Sequence, residues 1–396
     1  MHFLTRRIFL GRASLASAGT LLSALDGSTA DTPISWRAAI IGHTGQGNYG
    51  HDLDLVFQGL STVKVVAIAD PDAAGRTRAA QRSQAKSQYA DYREMLAKEK
   101  SDLVVIATRW SAEHHAMAMA ALHSGAHLLT EKPFTVSLTQ ADEILALANR
   151  TRRKIAVAHQ MRLAPNVMHL QHAIADGIMG ELVHMRSWGK QDSRSGGEDL
   201  IVLGTHIFDM MRLFAGDALW CSARVSCQGH AITRADTRDA TERIGPVAGD
   251  VIEAQFGFTH GITATFTSRG ELRQTLGPWG LELLGTKGAV RILMDIDPRV
   301  LRRQRREMMP AGISEEWLPL EDDPTLHFKA AQRGTVPANR RVIEDWLDAI
   351  EHNREPQCSG RNAMKAIEMV MAVYAAGLSG KRVTLPLPQR VHPLMS

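Results

Sequence analysis

A chain of 396 residues is too long for one ordinary domain and long enough to bury two cores. Its formal net charge of +4 shrinks once Arg6, Arg7, Arg12 and Asp26 are set aside with the first thirty residues, which excludes a nucleic-acid footprint. No apolar stretch reaches the roughly 18 residues of a membrane span, and three scattered cysteines, Cys221, Cys227 and Cys358, form no disulfide framework and are expected as buried free thiols.

Residues 1–30 carry Thr5-Arg6-Arg7-Ile8-Phe9-Leu10, then an Ala/Ser/Gly-rich stretch, then Ser28-Thr29-Ala30 as a small-residue cleavage site. This run resembles a twin-arginine (Tat) signal. The resemblance implies a periplasmic protein carried folded across a bacterial inner membrane by the Tat export machinery.

An apolar run over 36–41 reads as a buried strand and ends in Gly42-His43-Thr44-Gly45-Gln46-Gly47-Asn48-Tyr49-Gly50. Leu53, Val56, Phe57 and Leu60 then recur with helical spacing. Gly45-x-Gly47-x-x-Gly50 therefore fits the dinucleotide fingerprint in its setting between a strand and a helix. A Cβ in such a turn would hold the backbone away from a pyrophosphate. A second buried strand, 63–69, ends at Asp70, twenty residues beyond Gly50, where a dinucleotide fold places the acid for the adenosine ribose. Asp70-Pro71 is equally a helix N-cap with proline at the first helical position.

Helices are expected over 72–85 and 92–98, a strand over 103–107 ending at Thr108, and a helix over 111–124. His114 and His115 are adjacent and so point apart, which is no metal pair. The next strand, 127–129, runs into Glu131-Lys132-Pro133. Thr139 with Asp142 or Glu143 reads as the cap of a helix ending near 150, and 155–158 as a last strand. Strand and helix alternate throughout, so residues 35–158 read as a doubly wound parallel sheet of α/β class.

The texture then changes. Alternating strands at 182–188, 219–228, 251–258, 262–268, 281–285 and 289–294 describe a mainly antiparallel open sheet within 159–396, interrupted by one helix over 199–214 and followed by helices at 340–350 and 362–374. Its exposed face is expected to carry apolar residues that a second subunit covers, which makes a homo-oligomer. The arginine run from Arg299 to Arg306 reads as a solvated strand and loop.

Two places carry chemistry. Lys132 stands at the carboxyl edge of the parallel sheet, where its ammonium can stabilise a developing alkoxide. His206 and Asp209 lie three apart on one helical face, so the carboxylate can orient an imidazole that acts as general base.

The order of glycine-rich turn, Asp70, Thr108, Glu131-Lys132-Pro133 and Gly204-x-His206-x-x-Asp209 resembles the Gfo/Idh/MocA oxidoreductases. Gly177-Ile178-Met179-Gly180-Glu181, Leu283-Leu284-Gly285-Thr286-Lys287-Gly288 and the tail from Asp345-Trp346 to Val383 extend the likeness over nearly all of 35–388. The resemblance implies an enzyme that exchanges hydride between a CH–OH carbon of a sugar, cyclitol or polyol and a nicotinamide cofactor, which export in the folded state through the Tat pathway would require to be tightly held. Lys132 and His206 would be catalytic. Gly42, Gly45, Gly47, Gly50, Asp70, Thr108, Glu131 and Lys132 would line the cofactor, with Arg162 and Asp209 beside the substrate. Asp70 favours NAD over NADP, although Arg76 and Arg78 stand nearby. No metal is expected.

Two departures from the family stand out. Val202 replaces the acid often found four residues before the histidine, and Thr108-Arg109-Trp110 replaces Thr-Pro. A redox-neutral NAD-dependent glycosidase, epimerase or lyase, or a non-catalytic sugar-binding protein on the same scaffold, stays open as a reading.

Overall fold

The computed structural model describes residues 35–272, 279–303, 317–320 and 333–395. The twin-arginine segment and residues 304–306 of the arginine run lie outside the described residues.

The first half is built on six parallel strands in the order β3-β2-β1-β4-β5-β6: β1 (Trp36–Ile41), β2 (Val63–Ala69), β3 (Ser87–Tyr89), β4 (Leu103–Ile106), β5 (His127–Thr130) and β6 (Ile155–Val157). These strands are continuous apolar runs because both faces are covered. Ile41, Val104 and Leu128 face one core, while Ile40, Val105 and Leu129 face the other. Strand order reverses between β1 and β4, so a crevice opens beyond their carboxyl ends. The short strand β3 carries too few apolar residues to stand out in the sequence.

Helices α1 (Ala73–Ser83), α2 (Tyr92–Glu99), α3 (Ser111–His123) and α4 (Leu138–Thr151) connect these strands. Two caps differ from the sequence reading. Asp72, not Asp70, caps α1 by accepting from the Gly75 amide at 2.6 Å, because Asp70 already accepts from Thr44 and from the Asp72 amide. Ser137, not Thr139, caps α4, and Asp142 instead binds the Arg390 guanidinium.

The segment after the glycine-rich turn is not the α-helix its spacing predicts. It is a 3-10 turn, Gly50–Leu55, with His51 and Asp52 in the left-handed region at φ 49° and 58°. Tertiary contacts override the local pattern. Asp52 accepts from the Thr335 hydroxyl and Arg82, and Asn339 donates to the His51 carbonyl. Thr335 and Asn339 belong to α8 (Thr335–Glu351), which lays Val342, Ile343 and Trp346 against the sheet.

The second half begins with α5 (Pro165–Ala175), whose proline occupies a first-turn position. An open sheet follows. Among the described residues its strands run in the order Leu318–Pro319, Arg299–Arg303, Ala289–Leu293, Gly280–Gly285, β7 (Leu182–Trp188), Thr263–Arg269, Val251–Gly257, β8 (Trp220–Cys227) and Val383–Thr384. Neighbours are antiparallel except β7 and Thr263–Arg269. One face packs on α7 (Gly204–Ala215) and α9 (Gly360–Ser379) through Phe208, Phe256 and Phe266.

The helix expected over 199–214 is two helices, α6 (Gly197–Val202) and α7, which break at Leu203. The Thr205 hydroxyl donates back to the Ile201 carbonyl at 3.0 Å, a bond that bends helices. The other sheet face is more polar than the alternation implied: Glu282 bridges Arg186 and Arg291, and Arg269 pairs with Glu253. Cys221, Cys227 and Cys358 are free thiols. Among the described residues no helix is long and apolar enough to cross a membrane.

Candidate active site

The glycine-rich turn closes on itself at the carboxyl end of β1. His43 and Asn48 pair across it, and the Gly45 amide is held by the Asn48 side chain. Gly45 and Gly47 have φ of 83° and 89°, which l-side chains rarely adopt. A Cβ on Gly47 would also press on the Thr108 hydroxyl and stand 2.6 Å from the Arg109 amide. Thr108 in turn donates to the Gln46 carbonyl at 2.7 Å, so the end of β4 clamps the turn. Gly50 lies against Arg109 and Glu131, and Gly42 lies under the Tyr49 ring.

Asp70, fully buried at the end of β2, accepts from the Thr44 amide and from its hydroxyl at 2.7 Å. Beyond it lies a cavity of about 330 Å³ lined by Asp70, Pro71, Tyr92, Arg93, Ala116 and Met117. Its walls are mostly apolar, with the carboxylates of Asp70 and Glu113 among the lining residues, at the switch point of the sheet, and this fits the adenosine end of a dinucleotide. Arg76 does not face it as a free cation, since it donates to the Asp70 carbonyl at 2.5 Å.

Glu131 is fully buried. It binds the His51 imidazole and the Lys132 amide. Burial pushes its carboxyl up, but His51 and Lys132 outweigh that and hold it at about 2. Lys132, 8% exposed, makes no hydrogen bond to a described residue through its ammonium. Burial lowers its pKa, against the pull of Glu131 and Glu242, while Arg194 and Arg109 lower it further.

Within the influence of the Lys132 charge stands His206, with Nδ1 buried and without a partner among the described residues. Burial and then the Lys132 charge drive its pKa well below the ordinary histidine value, so the ring is neutral. The Trp279 ring lies 6.0 Å from it, centre to centre.

Asp209 does not orient His206. Arg162, from the 3-10 turn Gln160–Leu163, takes both carboxylate oxygens, at 3.0 and 2.8 Å, and the Asp209 carbonyl at 3.1 Å. The sequence places Arg162 and Asp209 near the substrate, and the structure spends each on the other. The i, i+3 spacing gave Asp209 and His206 one face of α7, but Arg162 arrives from another element, which spacing cannot reveal.

The imidazole that does face Asp209 is His159, just after β6, with Nδ1 3.9 Å from Oδ1 and Nε2 buried without a partner. Its ring meets that of His206 edge-on at 5.2 Å between centres. The sequence reading missed His159, although the rule that singled out Thr108 and Lys132, position at the carboxyl edge of a parallel strand, applies to it equally. Arg194 and Glu242 lie on loops, and only the fold brings them near Lys132. Arg109 and Trp110 meet this same loop layer, Arg109 3.9 Å from Glu242 and Trp110 under Arg243.

A parallel sheet in this strand order, a glycine turn at its switch point and an unpaired lysine at its carboxyl edge define a nicotinamide-dependent oxidoreductase. Residues 36–159 match the oxidoreductase family's NAD-binding Rossmann fold, and residues 173–385 match its C-terminal alpha/beta domain. The chain belongs to the Gfo/Idh/MocA family. Among curated relatives it is 25% identical to D-apiose dehydrogenase of Paraburkholderia graminis, over 90% of this chain and 92% of that one. It is 28% identical to an alpha-N-acetylgalactosaminidase of Shewanella oneidensis, over 46% of this chain and 45% of that one. Levoglucosan dehydrogenase, solved with NADH and levoglucosan, shares the fold at a TM-score of 0.71 and 17% identity, with 89% of this chain and 100% of that one covered.

Proposed function

We propose that this enzyme oxidises or reduces a CH–OH group of a sugar, cyclitol or related polyol, with NAD as the hydride carrier. The observation that carries the reading is the Lys132 ammonium at the carboxyl edge of the sheet, near enough for its charge to act on His159 and His206, each of which keeps a buried nitrogen without a hydrogen-bond partner among the described residues. Bound NAD would supply the hydride acceptor. Gly42, Gly45, Gly47, Gly50 and Thr108 would shape the turn that receives its pyrophosphate, and Asp70 would bind the ribose once the Thr44 hydroxyl gives way. Lys132 would hydrogen-bond the substrate oxygen and stabilise negative charge there. His206, neutral, would contact the same hydroxyl. The whole-length likeness to D-apiose dehydrogenase supports an aldose as the first substrate class to try. The test is a panel of aldoses, cyclitols and sugar alcohols incubated with NAD and followed at the NADH absorbance band.

The part-length likeness to an alpha-N-acetylgalactosaminidase favours one other reading, a redox-neutral cycle in which the hydride returns to the same molecule. Turnover of a glycoside without net NADH separates the two.

Export and assembly belong to the same proposal. A twin-arginine leader would carry the folded chain with its cofactor already bound, and dinucleotide co-purifying from periplasm would support this. Pairing of two copies would use the ion-paired sheet face around Arg186, Glu282 and Arg291, and light scattering reads it directly.

A further inference from the structure

Val202, 4% exposed, stands where many family members carry an acid near the catalytic histidine, and a valine neither accepts nor donates a proton. Among the described residues no carboxylate pairs with His206. One turn along α7, Asp209 faces a different imidazole, that of His159. Both rings are buried, they meet at 5.2 Å, and each has a nitrogen without a partner, Nε2 on His159 and Nδ1 on His206. A buried donor or acceptor left unmade costs about 1–3 kcal/mol. Two such atoms on neighbouring rings, both within the influence of the Lys132 charge, hold hydrogen-bonding capacity that the described residues do not use.

We infer that His159 is a catalytic residue of this site, and that the proton leaving the substrate hydroxyl is kept on the His159–Asp209 pair rather than on His206. This rests on the oxidoreductase reading above and deepens it. The O–H bond breaks, its electron pair stays on the oxygen beside Lys132, and the proton forms an N–H bond at His159 Nε2. The Nδ1–H of the same ring then points at Asp209, as a base and its orienting acid do elsewhere. In the reducing direction the proton returns along the same path.

The charges around the two rings differ in the sense this requires. His159 is faced by Asp209 and Arg162, by Lys132 and Glu131 from the end of β5, and by His206; its carbonyl also accepts from the Cys358 thiol. Burial lowers its pKa, and Asp209 opposes that more than any other charge. His206 is faced by Lys132, His159, His51 and the Trp279 ring; burial lowers its pKa, and no carboxylate among the described residues opposes that. Of two neutral rings, His159 is the easier to protonate.

The test uses the full chain with NAD added and histidines labelled with 15N, their resonances assigned from His159→Gln and His206→Gln. The expected result is that His159 takes its proton at a higher pH than His206, and that Asp209→Asn lowers the His159 midpoint by about one pH unit or more. A His206 midpoint above that of His159 overturns the inference, whether or not any sugar is turned over. That comparison is complete without Asp209→Asn, should the variant not fold. In a second arm, His159→Gly is expected to lose about a hundredfold in kcat with little change in KM, and to regain turnover when free imidazole is added. A merely structural histidine would not be rescued in this way, and unchanged kcat overturns the inference. Wild-type enzyme inert toward the whole panel refutes the oxidoreductase reading and leaves the titration result standing.

Discussion

The two ends of the candidate site treat buried polar groups in different ways. Around the glycine-rich turn the carboxylates and Thr108 are satisfied from within, while the buried Tyr49 hydroxyl there has no partner among the described residues. Asp70 is saturated by Thr44 and the Asp72 amide, Glu131 by His51 and the Lys132 amide, and Thr108 by the Gln46 carbonyl. Where substrate would bind, they are not: His206 Nδ1, His159 Nε2 and the Lys132 ammonium have no partner among the described residues. Satisfied networks rigidify, and unsatisfied ones store free energy that a ligand can release. The carboxylates at the cofactor end are thus held in place, and the imidazoles at the substrate end keep hydrogen-bonding capacity for a ligand.

The sharpest test of this contrast is the ion pair that belongs to neither pattern. Arg162→Leu would leave Asp209 buried with only His159 beside it, and should cost about 3–5 kcal/mol by chemical denaturation. A loss below 1 kcal/mol would mean that Arg162 is free to serve substrate after all. Lys132→Met comes next. It should lower turnover by about 10² to 10³, or roughly 3–4 kcal/mol in transition-state stabilisation, yet raise the melting temperature because it removes a cation whose burial outweighs the pull of Glu131 and Glu242. His206→Leu should behave likewise with a smaller gain. Loss of both activity and stability in Lys132→Met would break the comparison.

Acid should reveal a further buried imidazole. His392, against Tyr374, has Nε2 without a partner, and burial lowers its pKa to about 4. A histidine depressed in the folded state contributes stability that is fully present above about pH 6.5 and is lost as pH falls toward 4. The loss is on the order of 3 kcal/mol, and His392→Leu should flatten that part of a stability–pH curve. The smallest expected effect is in the cofactor half. Thr44→Val frees a lone pair on Asp70, and NAD should bind severalfold tighter by calorimetry. Weaker binding would show that Thr44 supports the ribose site instead of competing for it.

Much of the cofactor half was legible because parallel strands are apolar runs and their carboxyl ends mark a site. Asp70, Thr108 and Lys132 all follow from that rule. The 3-10 turn after Gly50 was not legible, since α8, nearly three hundred residues away in sequence, sets its backbone. The Asp209 pairing was misread for the same reason: helical spacing reports neighbours on one helix, and Arg162 comes from another element. Likewise, alternation in the open sheet correctly marked strands but not the ion pairs on its outer face. Periodicity fixes which face a residue occupies, while partners are chosen by the fold.

The central claim is that Lys132 and the two facing imidazoles form the seat of an NAD-dependent oxidation at a CH–OH group. A single-turnover absorbance measurement tests it most directly, with enzyme and NAD in equal amounts mixed with each member of the sugar and polyol panel. The account predicts a rise at the NADH band with at least one substrate, and its absence in Lys132→Met with NAD still bound. No rise with any substrate in NAD-loaded wild-type enzyme, or an equal rise in Lys132→Met, would contradict it.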